Sequence, residues 1–345
     1  MRSTVLPVVF AAVAAAPSAA RAKPPLLFVS AEAGGEIVVV DPVKAQPVEH
    51  IKVGARPRGI KLSKDGRSLF VAVAGPAKAA PRPGLAPAPA PPAEQAPGLA
   101  VVDVTARKVT KRVATPAAPF AVDISPDGKT AYLSNSATNE ILAIDVGAGS
   151  IKQKAGVGAE PQGVAVRADG KVVFVAAHGS DEISALDTKK MSLLGRIDAG
   201  PKPQTVLLAA RGATAFVTDE GAPNITIVDA KQNTFKAQFT IQDLPKTAPA
   251  PALQSAVLSP DGKLLYVTTG AGKSVVIVDP EKKTVVGKIE GVGAFPRGIA
   301  ISPDGKKLYT ANGSSNDVAV IDVASKKVEA HIAVPGAPWA IVVAR

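Results

Sequence analysis

Short apolar runs rich in Val, Ile, Ala and Phe alternate with Gly, Pro, Asp and Lys along nearly the whole chain. Between residues 161 and 200 the pattern reads as one unit. Gly163 to Val166, Val172 to Ala177, Ile183 to Leu186 and Leu194 to Ile197 are the apolar runs. Ala168-Asp169-Gly170, the stretch His178-Gly179-Ser180-Asp181 and the residues after Asp187 separate them. Runs this short, bounded by turn formers, predict four β-strands, A to D. Beyond the N-terminus no long segment carries the 3.6-residue period of an amphipathic helix.

The unit recurs. An apolar run ending in Asp falls at Asp41, Asp103, Asp145, Asp187, Asp229, Asp279 and Asp322. A Ser-Pro-Asp-Gly turn falls at Ser125, Ser259 and Ser302, with degenerate copies at Ser63, Arg167 and Ala209. A period of about 42 residues with several strands per unit is the mark of a propeller blade. Strand B carries an aromatic residue at Phe28, Phe70, Tyr132, Phe174, Phe216, Tyr266 and Tyr309, which predicts seven blades. The first strand B opens at Leu26, and the chain stops after a strand A over Ala340 to Val343. The two ends therefore complete one blade. The expected fold is all-β, a seven-bladed β-propeller with blade closure by the C-terminal strand, which removes the exposed sheet edges.

Tyr132-Leu133-Ser134-Asn135, Tyr266-Val267-Thr268-Thr269 and Tyr309-Thr310-Ala311-Asn312, with the Ser-Pro-Asp-Gly turns and the strand ending Ile-Asp, resemble the YVTN repeat. The resemblance covers nearly all of the chain after its leader and implies a WD40-like propeller commonly exported from bacterial or archaeal cells. Functions in that family are diverse, so the resemblance speaks to fold rather than chemistry.

Arg2, the apolar stretch Val5 to Ala16 and the small residues before Lys23 predict a secretory signal over 1–22, ahead of a single propeller over 23–345. The stretch is too short to span a bilayer. A periplasmic or secreted protein follows, expected to be a monomer with no membrane span. The chain has no cysteine, which excludes disulfides, thiolate metal sites and c-type haem attachment.

The net charge of +11 is concentrated in turns. Lys189-Lys190, Lys282-Lys283 and Lys326-Lys327 follow strand C, and Lys129, Lys263 and Lys306-Lys307 follow strand A. Both sets fall at one end of the propeller, the bottom. Such a rim attracts nucleic acid or acidic lipid, and it also protects strand edges and solubility. Two insertions decorate the other end, the top. Residues 75–98, rich in Pro and Ala, replace a B–C loop and are expected to lack regular structure. A shorter insertion spans 242–252.

The ligand-binding candidates lie where the D–A loops enter strand A: Trp339, Arg58, Phe120, Gln162, Gln204, Gln254 and Arg297, in ring order. Ring closure makes Arg297, Trp339, Arg58 and Phe120 consecutive. Two guanidinium groups beside an indole and a phenyl suit a planar anion, or a stacked base with its phosphate. The alternative is that these aromatics plug the channel. His178 is a secondary candidate, placed near Asp181 and Glu182 as a base or axial ligand. His50 and His331 fall at equivalent surface positions of strand D. No metal site, cofactor or catalytic residue is expected. The end-of-strand Asp residues recur in every blade and so are read as turn residues. Gly270 to Ser274 imitates the end of a phosphate-binding loop but joins two strands with no helix after it. Lys61 and Asp123, at equivalent places in adjacent inner strands, are read as a buried inter-blade pair.

The expected function is a non-catalytic binding or scaffold module for a planar anion, single-stranded nucleic acid or a protein. The alternative is a propeller enzyme, either a lactonase-type hydrolase or a periplasmic oxidoreductase or haem-handling protein. Its carboxylates would be Glu32, Glu160, Asp181 and Asp219 on top loops.

Overall fold

A computed structural model describes residues 25–77, 91–116, 118–209, 212–242, 244 and 252–344. The expected leader over 1–22 lies outside the described residues, as do 78–90 and most of 242–252.

Seven four-stranded antiparallel sheets form the seven blades. Strands B and C are apolar on both faces because each blade packs against a neighbour on each side, as a central layer does. The core is accordingly divided into seven clusters, each shared by two adjacent blades. The strand B aromatics are all buried in these clusters. Blade 1 closes as expected: Pro338–Ala344 pairs antiparallel with Leu26–Ala31, with Leu26 opposite Ala344.

The repeated polar residues build the bottom turns. Each end-of-strand-C Asp accepts backbone N–H groups two or three residues on, as Asp187 does from Lys189 and Lys190 at 2.9 and 2.7 Å. In the turn between strands A and B, Ser125 Oγ donates to Asp127 at 2.6 Å and accepts the Thr130 N–H at 2.9 Å. Gly128 closes it at φ 73°, a conformation L side chains rarely adopt.

Two kinds of bulge recur. Between strands C and D, every blade inserts one residue at the same place, such as Leu194 between the pairs Leu186–Leu193 and Ala185–Gly195. Between strands A and B, the register shifts at the top of the inner strand, as from Pro57 to Ile60. Bulges bend a strand and re-aim its side chains.

The first insertion is not wholly irregular. Ala93–Gln95 forms a single 3-10 turn, and Gly98 already belongs to strand C of blade 2, Gly98–Asp103. Gly270–Gly272 is likewise a 3-10 turn between two strands, tied by Thr269 to Ser274, and no helix follows it.

Candidate functional site

In six blades a Pro opens strand A, at Pro57, Pro119, Pro161, Pro203, Pro296 and Pro338. The residue before each has positive φ, between 48° at Glu160 and 63° at Ala118. The side chain after each Pro falls in the A–B bulge near the channel mouth. The seven inner strands together enclose a central channel of about 310 Å³. Its lining includes Phe120, Gln204, Gln254, Arg297 and Trp339. Small residues after the ring positions let the inner strands touch. A Cβ on Gly298 would lie 2.8 Å from the Ala340 Cα, and one on Gly59 would lie 2.7 Å from the Ala121 Cα.

A hydroxyl fixes several ring residues from the preceding blade. Ser30, Ser134, Thr218 and Thr268 occupy one position of strand B. They donate to the carbonyls of Arg58, Gln162, Gln254 and Arg297 at 2.7, 2.6, 3.2 and 2.8 Å.

The expected arc of side chains is assembled. The Arg297 guanidinium carbon lies 3.9 Å from the Trp339 ring centre and 4.7 Å from that of Phe295. Arg58 stands 4.9 Å from Trp339 and 5.0 Å from Phe120, and the two aromatic rings meet edge to face at 5.7 Å. Gln162, Gln204 and Gln254 complete the ring. The buried Oε1 atoms of Gln162 and Gln204 have no hydrogen-bond partner.

A second ring, just above the first, was only partly legible. The residue following strand B donates its N–H to the carbonyl before the ring Pro. Glu32 does so to Ala337 at 3.1 Å, His178 to Glu160 at 3.3 Å, and Glu220 to Lys202 at 2.8 Å. Glu32 accepts from Arg58 at 3.0 Å and from Arg56 at 3.3 Å. Glu220 accepts from His178 Nε2 at 2.9 Å and from Gln254 at 3.4 Å. The His178 hydrogen bond holds the Glu220 carboxyl below the usual range against the opposing effect of burial. Sequence reading missed Glu220, although it occupies the same repeat position as Glu32 and His178.

That register explains the state of Arg297. Two ring residues meet the second-ring residue of the preceding blade: Arg58 meets Glu32, and Gln254 meets Glu220. Arg297 belongs to blade 7, and the blade-6 position is Gly270. The second-ring position of blade 7 itself is Gly313, where a Cβ would meet Arg297 Nε at 3.2 Å. Among the described residues Arg297 makes no ion pair. Burial draws its pKa below the usual arginine value, opposed by the fields of Glu32 and Glu220.

Two expectations need correction. His178 does not meet Asp181 or Glu182. Its side chain reaches Glu220 in the neighbouring blade and lies 3.6 Å from Glu160, while Glu182 pairs with Arg196 and Asp181 caps the Lys202 N–H. The loop turns the ring toward blade 5, a direction that sequence proximity does not encode. Lys61 and Asp123 do pair, at 2.9 Å, but Lys61 is 48% exposed, so the pair is not buried. The long lysine stem carries the ammonium to water. His50 and His331 are equivalent and half-exposed, beside Glu36 and Asp317 at 3.0 and 3.3 Å. Among the expected top carboxylates, Asp219 is fully buried, accepts from the Thr226 hydroxyl at 3.3 Å and does not line the channel. No group of three or more His, Asp or Glu side chains among the described residues is arranged to hold a metal ion.

No curated protein matches the sequence. Solved structures share the fold at low identity. Hydrazine synthase of Kuenenia stuttgartiensis is 20% identical, with a TM-score of 0.69 over 83% of this chain and 89% of that one. A periplasmic gluconolactonase of Pseudomonas aeruginosa is 18% identical, with a TM-score of 0.73 over 93% and 99%. A functionally unknown protein of Desulfotomaculum acetoxidans is 14% identical, with a TM-score of 0.74 over 93% and 99%. Such distances show the fold alone. The family model that fits residues 100–300, more than half of the sequence, is that of the YNCE-like β-propellers, and the chain belongs to that family.

Proposed function

We propose that the protein is an exported, non-catalytic binding module that takes a planar anion at the top of its central channel. The observation that carries this reading is Arg297. Its guanidinium is stacked on Trp339, lies at the channel mouth, and lacks the carboxylate that its counterpart Arg58 has in Glu32. A guanidinium held against an indole is positioned to meet a carboxylate or phosphate, and that positioning lowers the ordering cost of binding. Across the ring, Gln204 also lines the channel, and its buried Oε1 has no hydrogen-bond partner.

Trp339 is the sole Trp, so its fluorescence reports the site. Planar carboxylates and short single-stranded oligonucleotides are the first probes, and their binding should weaken with salt. Arg297→Ala should reduce affinity about tenfold or more, the scale of one charge-assisted hydrogen bond. Gly313→Asp, which supplies Arg297 with an internal carboxylate, should reduce it similarly without removing the arginine. Unchanged titrations in both variants would overturn the reading.

A second reading starts from the structural likeness to the gluconolactonase of Pseudomonas aeruginosa. His178 Nδ1 is buried without a hydrogen-bond partner while Nε2 is held by Glu220, which is the arrangement of an oriented base. Hydrolysis of a sugar lactone that disappears in His178→Ala would decide for an enzyme.

A further inference from the structure

The exposed large apolar side chains are not scattered. Six of them, Ile151, Leu193, Leu194, Phe235, Val285 and Val286, sit at the start of strand D in the consecutive blades 3 to 6. They occupy the C–D bulge and the pair just before it, where the extra residue re-aims neighbouring side chains. Phe235 and Leu194 are each 50% exposed. The same two positions hold Pro47 and Val48 in blade 1, Val109 and Thr110 in blade 2, and Val328 and Glu329 in blade 7. Their apolar members are half-buried. Val43, the remaining large exposed apolar residue among those described, is in the C–D turn of blade 1, at the same end of the ring.

Lysines frame this arc. Lys152 and Lys236 occupy bulge positions themselves, and Lys189, Lys190, Lys282 and Lys283 project from the adjoining turns, all exposed. The turn aspartates Asp187, Asp229 and Asp279 accept backbone N–H groups of those same turns; in blade 6 Asp279 also pairs with Lys282 at 3.2 Å and Glu281 is exposed, whereas Lys189 and Lys190 make no ion pair among the described residues. Edge protection accounts for the lysines and the bulges, but it leaves unexplained why Leu, Phe and Val are displayed beside them.

We propose that the outer bottom edge of blades 3 to 6 is a docking surface for an anionic lipid bilayer. Apolar side chains flanked by lysines match a membrane interface, where the acyl boundary takes the former and acidic headgroups the latter. A second copy of the chain is disfavoured as occupant, because pairing the arc with itself would oppose lysine to lysine.

Flotation of the full chain with vesicles tests this. Binding is expected to phosphatidylcholine vesicles containing phosphatidylglycerol, and much less to phosphatidylcholine alone. Lys189→Ala with Lys190→Ala should weaken it by about fivefold per lysine. Leu193→Ser, Leu194→Ser and Phe235→Ser together should weaken it about tenfold or more, with the circular dichroism spectrum unchanged. The same N-terminus in every variant isolates the arc from the leader. Trp339 stands at the opposite end of the channel, so brominated lipid should not quench it. Four results would each overturn the proposal. These are absence of binding to the acidic vesicles, equal binding by the triple-Ser variant, quenching of Trp339, and sedimentation showing a dimer that the triple-Ser variant loses.

Discussion

Replacing Asp123 tests how the inner strands are held together. Its carboxylate joins three blades. Oδ1 accepts the Ile124 N–H at 2.8 Å and pairs with Lys61 of blade 2 at 2.9 Å, while Oδ2 accepts the Val166 N–H of blade 4 at 2.8 Å. Val166 and Ile124 are both buried, so Asp123→Ala leaves two amides without partners in the core. Each costs about 1–3 kcal/mol. The lysine contributes little, because a half-exposed ammonium returns to water and an exposed pair is worth about 0–1 kcal/mol. The expected loss is about 2–5 kcal/mol for Asp123→Ala and under ~1 kcal/mol for Lys61→Met. Asp123→Asn, which keeps one acceptor oxygen, should fall between them. Equilibrium unfolding in urea measures all three. The discriminating variant is Lys61→Met combined with Asp123→Ala, which should be no more stable than Asp123→Ala alone. Recovery in the double variant would mean that an abandoned lysine, not the orphaned amides, causes the loss, and the reasoning would fail.

Burial, reinforced by the charge of Asp181, pushes the Asp219 carboxyl up from 3.8 to about 7. The native state then holds a proton that the unfolded chain releases, so this group's contribution is fullest below about pH 4 and is lost as pH rises to about 7. Asp219→Asn should flatten that slope and stabilise the protein above pH 7 by up to roughly 4 kcal/mol, and a slope identical to wild type in urea unfolding across pH would contradict it. Asn135 and Asn312 already stand at the equivalent position of their blades. Truncation after Pro338 removes the inner strand of blade 1, including the buried Ile341 and Ala344, and should abolish the cooperative thermal transition. Exchanging residues 78–90 for a short Gly-Ser link should change stability by less than about 1 kcal/mol, since loop length enters only logarithmically; a larger loss on calorimetry would show that the segment packs.

The fold was legible because its determinants are periodic. The strand B aromatics, the strand C aspartates and the Ser-Pro-Asp-Gly turns each satisfy a local need that every blade repeats. Ring order was legible for the same reason, which placed Arg297, Trp339, Arg58 and Phe120 side by side. Glu220 was missed because its role depends on the tilt between blades 5 and 6, which brings it to Gln254. Lys61 was misjudged because alternation along a strand places the Cβ of a lysine, not its ammonium. The hydroxyl donors were overlooked because only Ser30, Ser134, Thr218 and Thr268 hold that position, while Ala72, Ala176 and Ala311 replace them in the other blades. The arc over blades 3 to 6 escaped notice because a bulge is a register defect, and composition does not reveal it.

The pairing of Leu26–Ala31 with Pro338–Ala344 imposes an order on biosynthesis. The strand Leu26–Ala31 waits for a partner about 310 residues further along, so the ring cannot shut until Pro338–Ala344 has been made. Until then one flank of blade 1 is an open template, and the apolar faces of blades 1 and 7 are uncovered. Contacts so distant along the chain also make closure slow once Pro338–Ala344 is free. A nascent chain stalled short of Pro338 would thus be the species most in need of a chaperone, and its demand should end abruptly when Pro338–Ala344 emerges.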